Sequence, residues 1–501
     1  MKQVIKNIRP NAWMWVAAAF VLTFLLELEL WARLGGGGGY SGGGGGYSGG
    51  GGGYSGGGGG GSGDGGEAIV WWIQFSFKYP WFGIPANLVI FYFYYVVHKN
   101  KTETIVVAHE PTPPPNWDII RAQDENFSAV LFRDFAYTLF SKVHEARGNR
   151  KLKNMGQFLG TRAMEALERL QLNIEDVHSV IVGAMTVSDL SRAHRGKLGD
   201  VFTLRLNFEA NYTEVVNGKE QAVYTSQNWY FCRKASALSR EPDRIASLDC
   251  IGCGSSFEPD TNGTCQHCGQ HYEPGEAHWR VDSIYQINRR QVGPALTSSA
   301  PDVGLNLETL FAPDYWEQKQ RIEEENTDFK VEEITERFKY IFNVLQSSWS
   351  DRNLNKLRAF ETEYLFQNHS YWVREYERQG LRNILTNIDL EKIQVVKIRS
   401  DKFYDAITCR MWAGMVDYTI TNSGDLVCGN RSKRKHFSEY WTFIRGRGVK
   451  SHGKTESQCP NCGAELRISM AGECEYCGSK LTSGEFDWVL SEIQQDEEYT
   501  G

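Results

Sequence analysis

CIGCGSSFEPDTNGTCQHCG (250–269) and CPNCGAELRISMAGECEYCG (459–478) are two versions of one device. Each holds two Cys-x2-Cys pairs with eleven residues between them, and a glycine follows the second cysteine of every pair. The copies lie 209 positions apart, and the likeness runs outward from them. Trp279 and Trp488 each follow the last cysteine of their copy by eleven residues, and Gly275 and Gly484 by seven. Upstream, QNWYFCR (227–233) lines up with EYWTFIR (439–445), which pairs Trp229 with Trp441, Phe231 with Phe443 and Arg233 with Arg445. Self-similarity on this scale reads as two tandem domains, and 501 residues are enough for more than one core.

The copies share an order of elements. In the second, Ile334, Phe338, Ile341, Leu345 and Trp349 recur at helical spacing. Asp351 reads as the start of a second helix with Leu354, Leu357, Tyr364 and Leu365 inward. Tyr371 to Gln379 reads as a third, stopped by Gly380. IQVVKIRS (393–400) begins a sheet, DAITCRMWAGMVDYTIT (405–421) is a long strand, NSGD (422–425) turns it, and HFSEYWTFIR (436–445) returns. In the first copy Phe127, Val130, Leu131, Phe135, Leu139 and Val143 line a helix face, with more helix over 152–172. Strands are expected over 180–187 and 202–212, with a hairpin turn at Asn217-Gly218. Each cysteine stretch then sits between the Trp-x-Phe strand and the strand at Trp279 or Trp488, as an insert in a strand connection.

LQSSWSDRNLNKLRAFETEYLF (345–366), with the long strands and YWTFIR after it, resembles the C-terminal domain of the mitochondrial inner-membrane import-motor subunit, the Tim forty-four-like family. The chain as a whole looks like the bacterial relatives of that protein. The resemblance is most specific over 329–445 and weaker over 127–233. It implies an α+β fold of two tandem cone-type domains, nuclear-transport-factor-two-like, with helices on a curved antiparallel sheet. It brings no catalytic residues. The duplication and the cysteine inserts depart from the mitochondrial pattern.

The first hundred residues set the compartment. Lys2, Lys6 and Arg9 precede a fourteen-residue apolar run, Trp13 to Leu26. That length suits a signal-peptide core better than a span, so 1–34 is read as a signal peptide or an uncleaved signal anchor. Residues 35–66 are nearly all glycine, with Tyr-Ser at 40, 47 and 54: a flexible tether or, alternatively, a sticky interaction tract. Residues 68–98 combine an aromatic interfacial stretch (Trp71, Trp72, Tyr79, Trp81) with seventeen uncharged residues from Trp81 to Val97, read as a transmembrane helix. Lys99 and Lys101 follow it. Basic flanks belong inside, so what lies beyond residue 98 is expected in the cytoplasm of a bacterium, at its inner membrane. A proline-containing stalk (99–120) leads to the first domain (121–290), a linker (291–327) and the second domain (328–495). Leu305 and Leu307 are candidates to anchor the linker along the first domain.

A reducing cytoplasm favours metal over disulfides, though two disulfides per unit stay open if the topology is reversed. Cys250, Cys253, Cys265 and Cys268 would form one zinc ribbon (248–272), and Cys459, Cys462, Cys474 and Cys477 another (457–481). Four thiolates complete a Zn2+ shell, so both ions are expected to be structural. His267 and His271 then stand outside the shell. Cys232, Cys409 and Cys428 are left over.

A net charge of −7 argues against wholesale nucleic-acid binding. The basic runs RGNRKLK (147–153) and RSKRKHF (431–437) are either solvated faces or contacts for anionic headgroups. His178, Asp189 and His194, or Asp417 and Tyr418, are the acid–base residues nearest a concave site, and they fall in no recognisable catalytic pattern. The expectation is a non-enzymatic scaffold that binds a protein partner or the lipid bilayer, in protein translocation or envelope assembly. The alternatives are a small-ligand-binding or enzymatic cone and a zinc-ribbon nucleic-acid adaptor.

Overall fold

Each half carries a long amphipathic helix and continues into a four-stranded antiparallel meander. In the computed structural model, residues 115–501 are described except for 197–198, 241–249, 251, 256–263, 272–274, 276–277, 293–295, 297–303, 326–329, 450–457, 460, 470–471 and 497–498; Lys78, Tyr79, Trp81 and Asn87 are the only described positions before them. The signal, tether and transmembrane readings fall outside these residues. Among the described residues, no helix is long and apolar enough to cross a membrane. One compact unit holds all of 112–501, both halves included.

In the first half a short helix, α1 (Asp118–Arg121), leads to α2 (Ala129–Gly148), a 3-10 turn (Leu152–Met155) and α3 (Thr161–Leu170). Ser128 starts α2: its Oγ accepts the Leu131 amide at 3.3 Å, satisfying a donor that the first turn leaves open. The strands follow as β1 (Asp176–His194), β2 (Asp200–Val216), β3 (Lys219–Lys234) and β4 (Arg280–Arg290), in that spatial order. In the second half α4 (Tyr315–Glu325) and α5 (Val331–Asp351) precede a 3-10 turn (Leu354–Leu357) and α6 (Glu363–Arg378). The sheet β5 (Leu381–Ser400), β6 (Tyr404–Thr421), β7 (Leu426–Gly446) and β8 (Val489–Gln495) repeats the order of the first. The architecture is thus mixed α+β, two antiparallel sheets with few helices, an arrangement consistent with cone-like domains.

The apolar stripes face these sheets as their spacing predicts. Phe127, Leu131, Phe135, Leu139 and Val143 are buried in the first core with Trp229, Phe231 and Trp279. Ile334, Phe338, Ile341, Leu345 and Trp349 are buried in the second with Trp441, Phe443 and Trp488. Edge strands β1 and β5 each carry three register shifts against their neighbours. Bulges bend a strand and increase its twist, so both sheets curve.

Five expectations need correction. Asp351 ends a helix: Arg352 adopts a left-handed φ of 53° and caps α5, and Leu354–Leu357 make only a 3-10 turn. Tyr371 to Gln379 is not a separate helix, because α6 runs unbroken from Glu363. The stalk reaches less far than residue 120, since Ile120 is fully buried and Trp117 packs on Phe127 and Phe132. The second domain begins before 328: Tyr315 and Ile322 of α4 are buried in its core. The linker also lies on the second sheet. The Ala312 amide donates to the Val396 carbonyl at 3.0 Å, and Leu310 N–H to Tyr440 Oη at 3.0 Å. Leu305 and Leu307 are exposed and anchor nothing; it is the Leu307 carbonyl that is held, by Arg410 at 3.0 Å.

The two halves pack on one another. The rings of Tyr137 (α2) and Tyr364 (α6) stack at 3.6 Å. Asn368 Nδ2 donates to the Val182 carbonyl at 3.0 Å, and Tyr364 Oη donates to the same oxygen. Arg133 of α2 pairs with Glu492 of β8. Tyr404, Ile444 and Val489 of the second half join the first core.

Candidate metal centres

Both cysteine stretches occupy the connection from the third strand of a sheet to its fourth. The connection closes the same way in each half. Lys234 N–H donates to the Gly275 carbonyl at 2.8 Å, and Gly446 N–H to the Gly484 carbonyl at 2.7 Å. Gly275 and Gly484 both have left-handed φ, 85° and 79°. A Cβ on Gly484 would stand 3.1 Å from the Arg445 Cα, so the chain needs glycine there for space as well as for conformation.

The knuckles themselves are four copies of one turn. Gly254, Gly269, Gly463 and Gly478 take φ between 68° and 73°. Each donates its N–H to the carbonyl of the first cysteine of its pair, at 2.8–2.9 Å. The first cysteine of each pair in turn donates its N–H to the residue after the glycine: Cys250 to Ser255, Cys265 to Gln270, Cys459 to Ala464 and Cys474 to Ser479, at 2.7–3.1 Å. This geometry aims both thiols of a pair to one side. The first thiol of each pair is buried and the second exposed.

The four sulfurs of each set converge. In both sets every Sγ lies within 4.8 Å of the others. Cys250 and Cys268 are 3.8 Å apart, Cys459 and Cys477 3.8 Å, and Cys462 and Cys474 3.9 Å. A tetrahedron with metal–sulfur bonds of about 2.3 Å has edges of about 3.8 Å. None of the eight is in a disulfide. The thiols also pull one another apart electrostatically. Cys253 and Cys477 are drawn down to about 6, first by hydrogen bonds from the Ser255 and Ser479 hydroxyls. Cys268 goes up to about 11: the Gln270 amide lowers it, but burial and the three neighbouring sulfurs outweigh that. Four such groups can all ionise only around a cation. Spacing, edge length and chemistry therefore fit a tetrahedral metal ion in each set, with no open coordination position. His267 and His271 are exposed and outside both sets.

Eleven residues after the last cysteine of each set comes the tryptophan of a buried Trp–Arg stack. Arg233 lies over Trp279 at 5.0 Å, and Arg445 over Trp488 at 4.6 Å. Arg233 pairs with Asp124 at 2.8 Å, and Arg445 with Asp405 at 3.3 Å. The repeat in sequence exposes the tryptophans and arginines. The acids escape it, because Asp124 precedes α2 and Asp405 lies on β6.

The candidate acid–base residues do not come together. His178 is half-buried beside Ser179, His194 pairs with Asp200 at 3.0 Å, and Asp189 pairs with Arg205 at 2.8 Å. Asp417 is buried and accepts from Asn383 at 2.7 Å. Tyr418 lies under Arg431, 5.6 Å from its ring. The basic runs are partly neutralised: Arg147 is fully buried on Glu214 at 2.9 Å, and Arg434 and His436 pair with Glu391. Cys232, Cys409 and Cys428 are buried core thiols.

Comparison with known proteins bears on the second half. Residues 316–455 match the Tim44-like domain family. That span takes in α4 to β7 and ends just before the second cysteine set. No curated protein matches the chain.

Proposed function

We propose that the protein is a membrane-anchored, non-enzymatic scaffold, its folded part held at a bacterial inner membrane on the cytoplasmic side by the apolar segment at 68–98. The Tim44-like match over 316–455 carries this reading, since a scaffold or adaptor role is what that broad family suggests. The docked halves would offer their joint surface to a protein partner or to lipid, in protein translocation or envelope assembly. Zn2+ is the ion proposed for both four-cysteine sets, which suit it in ligand type, number and edge length. With the shell closed, each ion would act by holding a small hairpin that has little core of its own.

Cross-linking in native membranes, followed by mass spectrometry, tests the scaffold reading. A recurrent protein or lipid adduct on 115–501 supports it, and cross-links confined to the chain itself overturn it. Elemental analysis of the purified chain should return two zinc ions; iron, or one ion or none, refutes the zinc assignment. Protease added to the outer face of intact membranes should spare everything after residue 98, and cleavage there reverses the topology.

A further inference from the structure

Three threads run from the second cysteine set to the junction between the halves. The first is packing. Gly472, two residues before Cys474, is buried at a left-handed φ of 79°. A Cβ there would stand 2.7 Å from Arg358 Nη2, so the hairpin that carries the cysteines is pressed against the turn preceding α6. Arg358 in turn pairs with Glu363, the first residue of α6. The same helix holds the Val182 carbonyl of the first half through Tyr364 and Asn368.

The second thread is electrostatic. Lys480 follows Cys477 by three residues. Burial pushes the Asp134 carboxyl of α2 up to about 6, and Lys480 is the foremost of the charges that draw it back. Glu363 acts on the same carboxyl with the opposite sign. The third thread runs along the chain into β8, the strand that follows the set. The Thr362 amide donates to the Leu490 carbonyl at 2.9 Å, the Leu490 amide donates to the Phe360 carbonyl at 2.7 Å, and Glu492 pairs with Arg133 of α2. The strand after the first set leads into its own half. The Val281 carbonyl accepts the Gly160 amide at 2.8 Å, and Asp282 pairs with Arg195 at 3.2 Å.

We propose that the second metal centre is a latch between the halves: with its ion in place it keeps α2 and α6 together, and loss of that ion releases one half from the other. A small metal hairpin loses its fold with its ion, and here the Gly472 and Lys480 contacts go with it. The first centre holds only its own half. The inference rests on the metal reading of the cysteines and takes it further, from a hairpin that is held to a domain contact that is switched. Metal supply then decides whether the joint surface of the halves is present.

Three variants of the full chain test it. Each is assayed for metal by elemental analysis, for folded cores by circular dichroism, and for docking by small-angle scattering and the rate of proteolysis in the 291–314 linker. Cys462→Ser with Cys477→Ser should carry one ion, keep both cores and be cut at least fivefold faster, with a larger radius of gyration. Cys253→Ser with Cys268→Ser should also carry one ion and be cut at the native rate. Lys480→Glu, which sets a carboxylate against Asp134, should keep both ions and still be cut faster. Native docking in the chain that lacks only the second ion overturns the proposal, as does equal undocking in the chain that lacks only the first. Should the variant of the second set not fold, Lys480→Glu decides, and cutting at the native rate there overturns the proposal. A native chain with no ion in the second set sinks the metal reading and the latch together, so the ion count tells the two failures apart.

Discussion

Replacing Asp124 by Asn should destabilise the first half far more than the loss of one surface charge would. Asp124 is fully buried, and its Oδ2 accepts three hydrogen bonds: from Arg233 at 2.8 Å, from the Ser239 amide at 3.0 Å and from the Ser239 hydroxyl at 2.7 Å. Arg233 is buried as well, beneath Trp279. Burial pulls its guanidinium down, and Asp124 is what opposes that pull. Asp124→Asn therefore leaves a desolvated cation facing an amide. Breaking one side of such a pair costs about 3–5 kcal/mol, which is roughly a 100- to 5,000-fold change in the unfolding equilibrium. Arg233→Met alone should cost less, because Ser239 still donates twice to the carboxylate. The double variant should be more stable than the sum of the single changes implies, by about 2 kcal/mol.

Urea unfolding of the full chain, followed by tryptophan fluorescence, measures this, with the earlier transition assigned to the first half by its response to Arg233→Met. Ser239 lies eleven residues before Cys250, so the same substitution weakens the Ser239 hydrogen bonds close in sequence to the first metal centre. Metal should leave that centre at a lower chelator concentration in Asp124→Asn, and the second centre should not respond. A single-variant cost under about 1 kcal/mol, or strict additivity in the double variant, would show that the pair does not act as a unit.

Three further outcomes are expected. Gly484→Ala forces a side chain into a left-handed φ of 79° against the Arg445 backbone; it should cost about 1–2 kcal/mol, read as a lower urea midpoint of the second half. His144 and His278 are kept neutral by burial, His278 with its pKa pushed down to about 3. For His278, between pH 6.5 and about 3 the unfolded chain binds a proton that the folded one refuses, so stability is intact above 6.5 and falls by about 1.4 kcal/mol per pH unit as pH drops, with His144 acting in the same direction; His278→Phe should remove its share of that slope. Tyr364→Ala removes the stack on Tyr137 and the hydrogen bond to Val182, a loss of about 1–2 kcal/mol in docking that should appear as faster proteolysis of the 291–314 linker with both cores still folded.

Much of this architecture could be read from local pattern. Helical spacing located α2 and α5, the glycine after each cysteine pair marked the knuckles, and Asn217-Gly218, with φ of 52° and 69°, made the hairpin it advertises. These signals succeed because the residues that carry them act within one turn or one strand. Failures came where distant segments decide. Nothing near Asp351 announces that Arg352 will turn left-handed, because that cap follows from how α5 ends against β5. The Tyr315 and Ile322 stripe is short and set among glutamates, so α4 read as linker until the sheet beneath it was in view. The acids of the two Trp–Arg stacks come from different elements, so no internal alignment could pair Asp124 with Asp405.

The docking itself has a physical reason in the edge strands. An open sheet edge offers unpaired main-chain groups to any passing chain, and proteins cover such edges. Here β1 and β5 are the edges that start each sheet, and their bulges turn further carbonyls out of the ladder. The Val182 carbonyl, beside the shift between Val182 and Ala184, is taken by Tyr364 and Asn368 of the other half. The Val396 carbonyl, within the shift between Val395 and Lys397, is taken by Ala312 of the linker. One edge is thus covered by the neighbouring half and the other by the segment that joins them. A single copy of the unit would lack the first of these covers. The second half therefore supplies the partners of a β1 carbonyl that the bulge leaves out of the ladder.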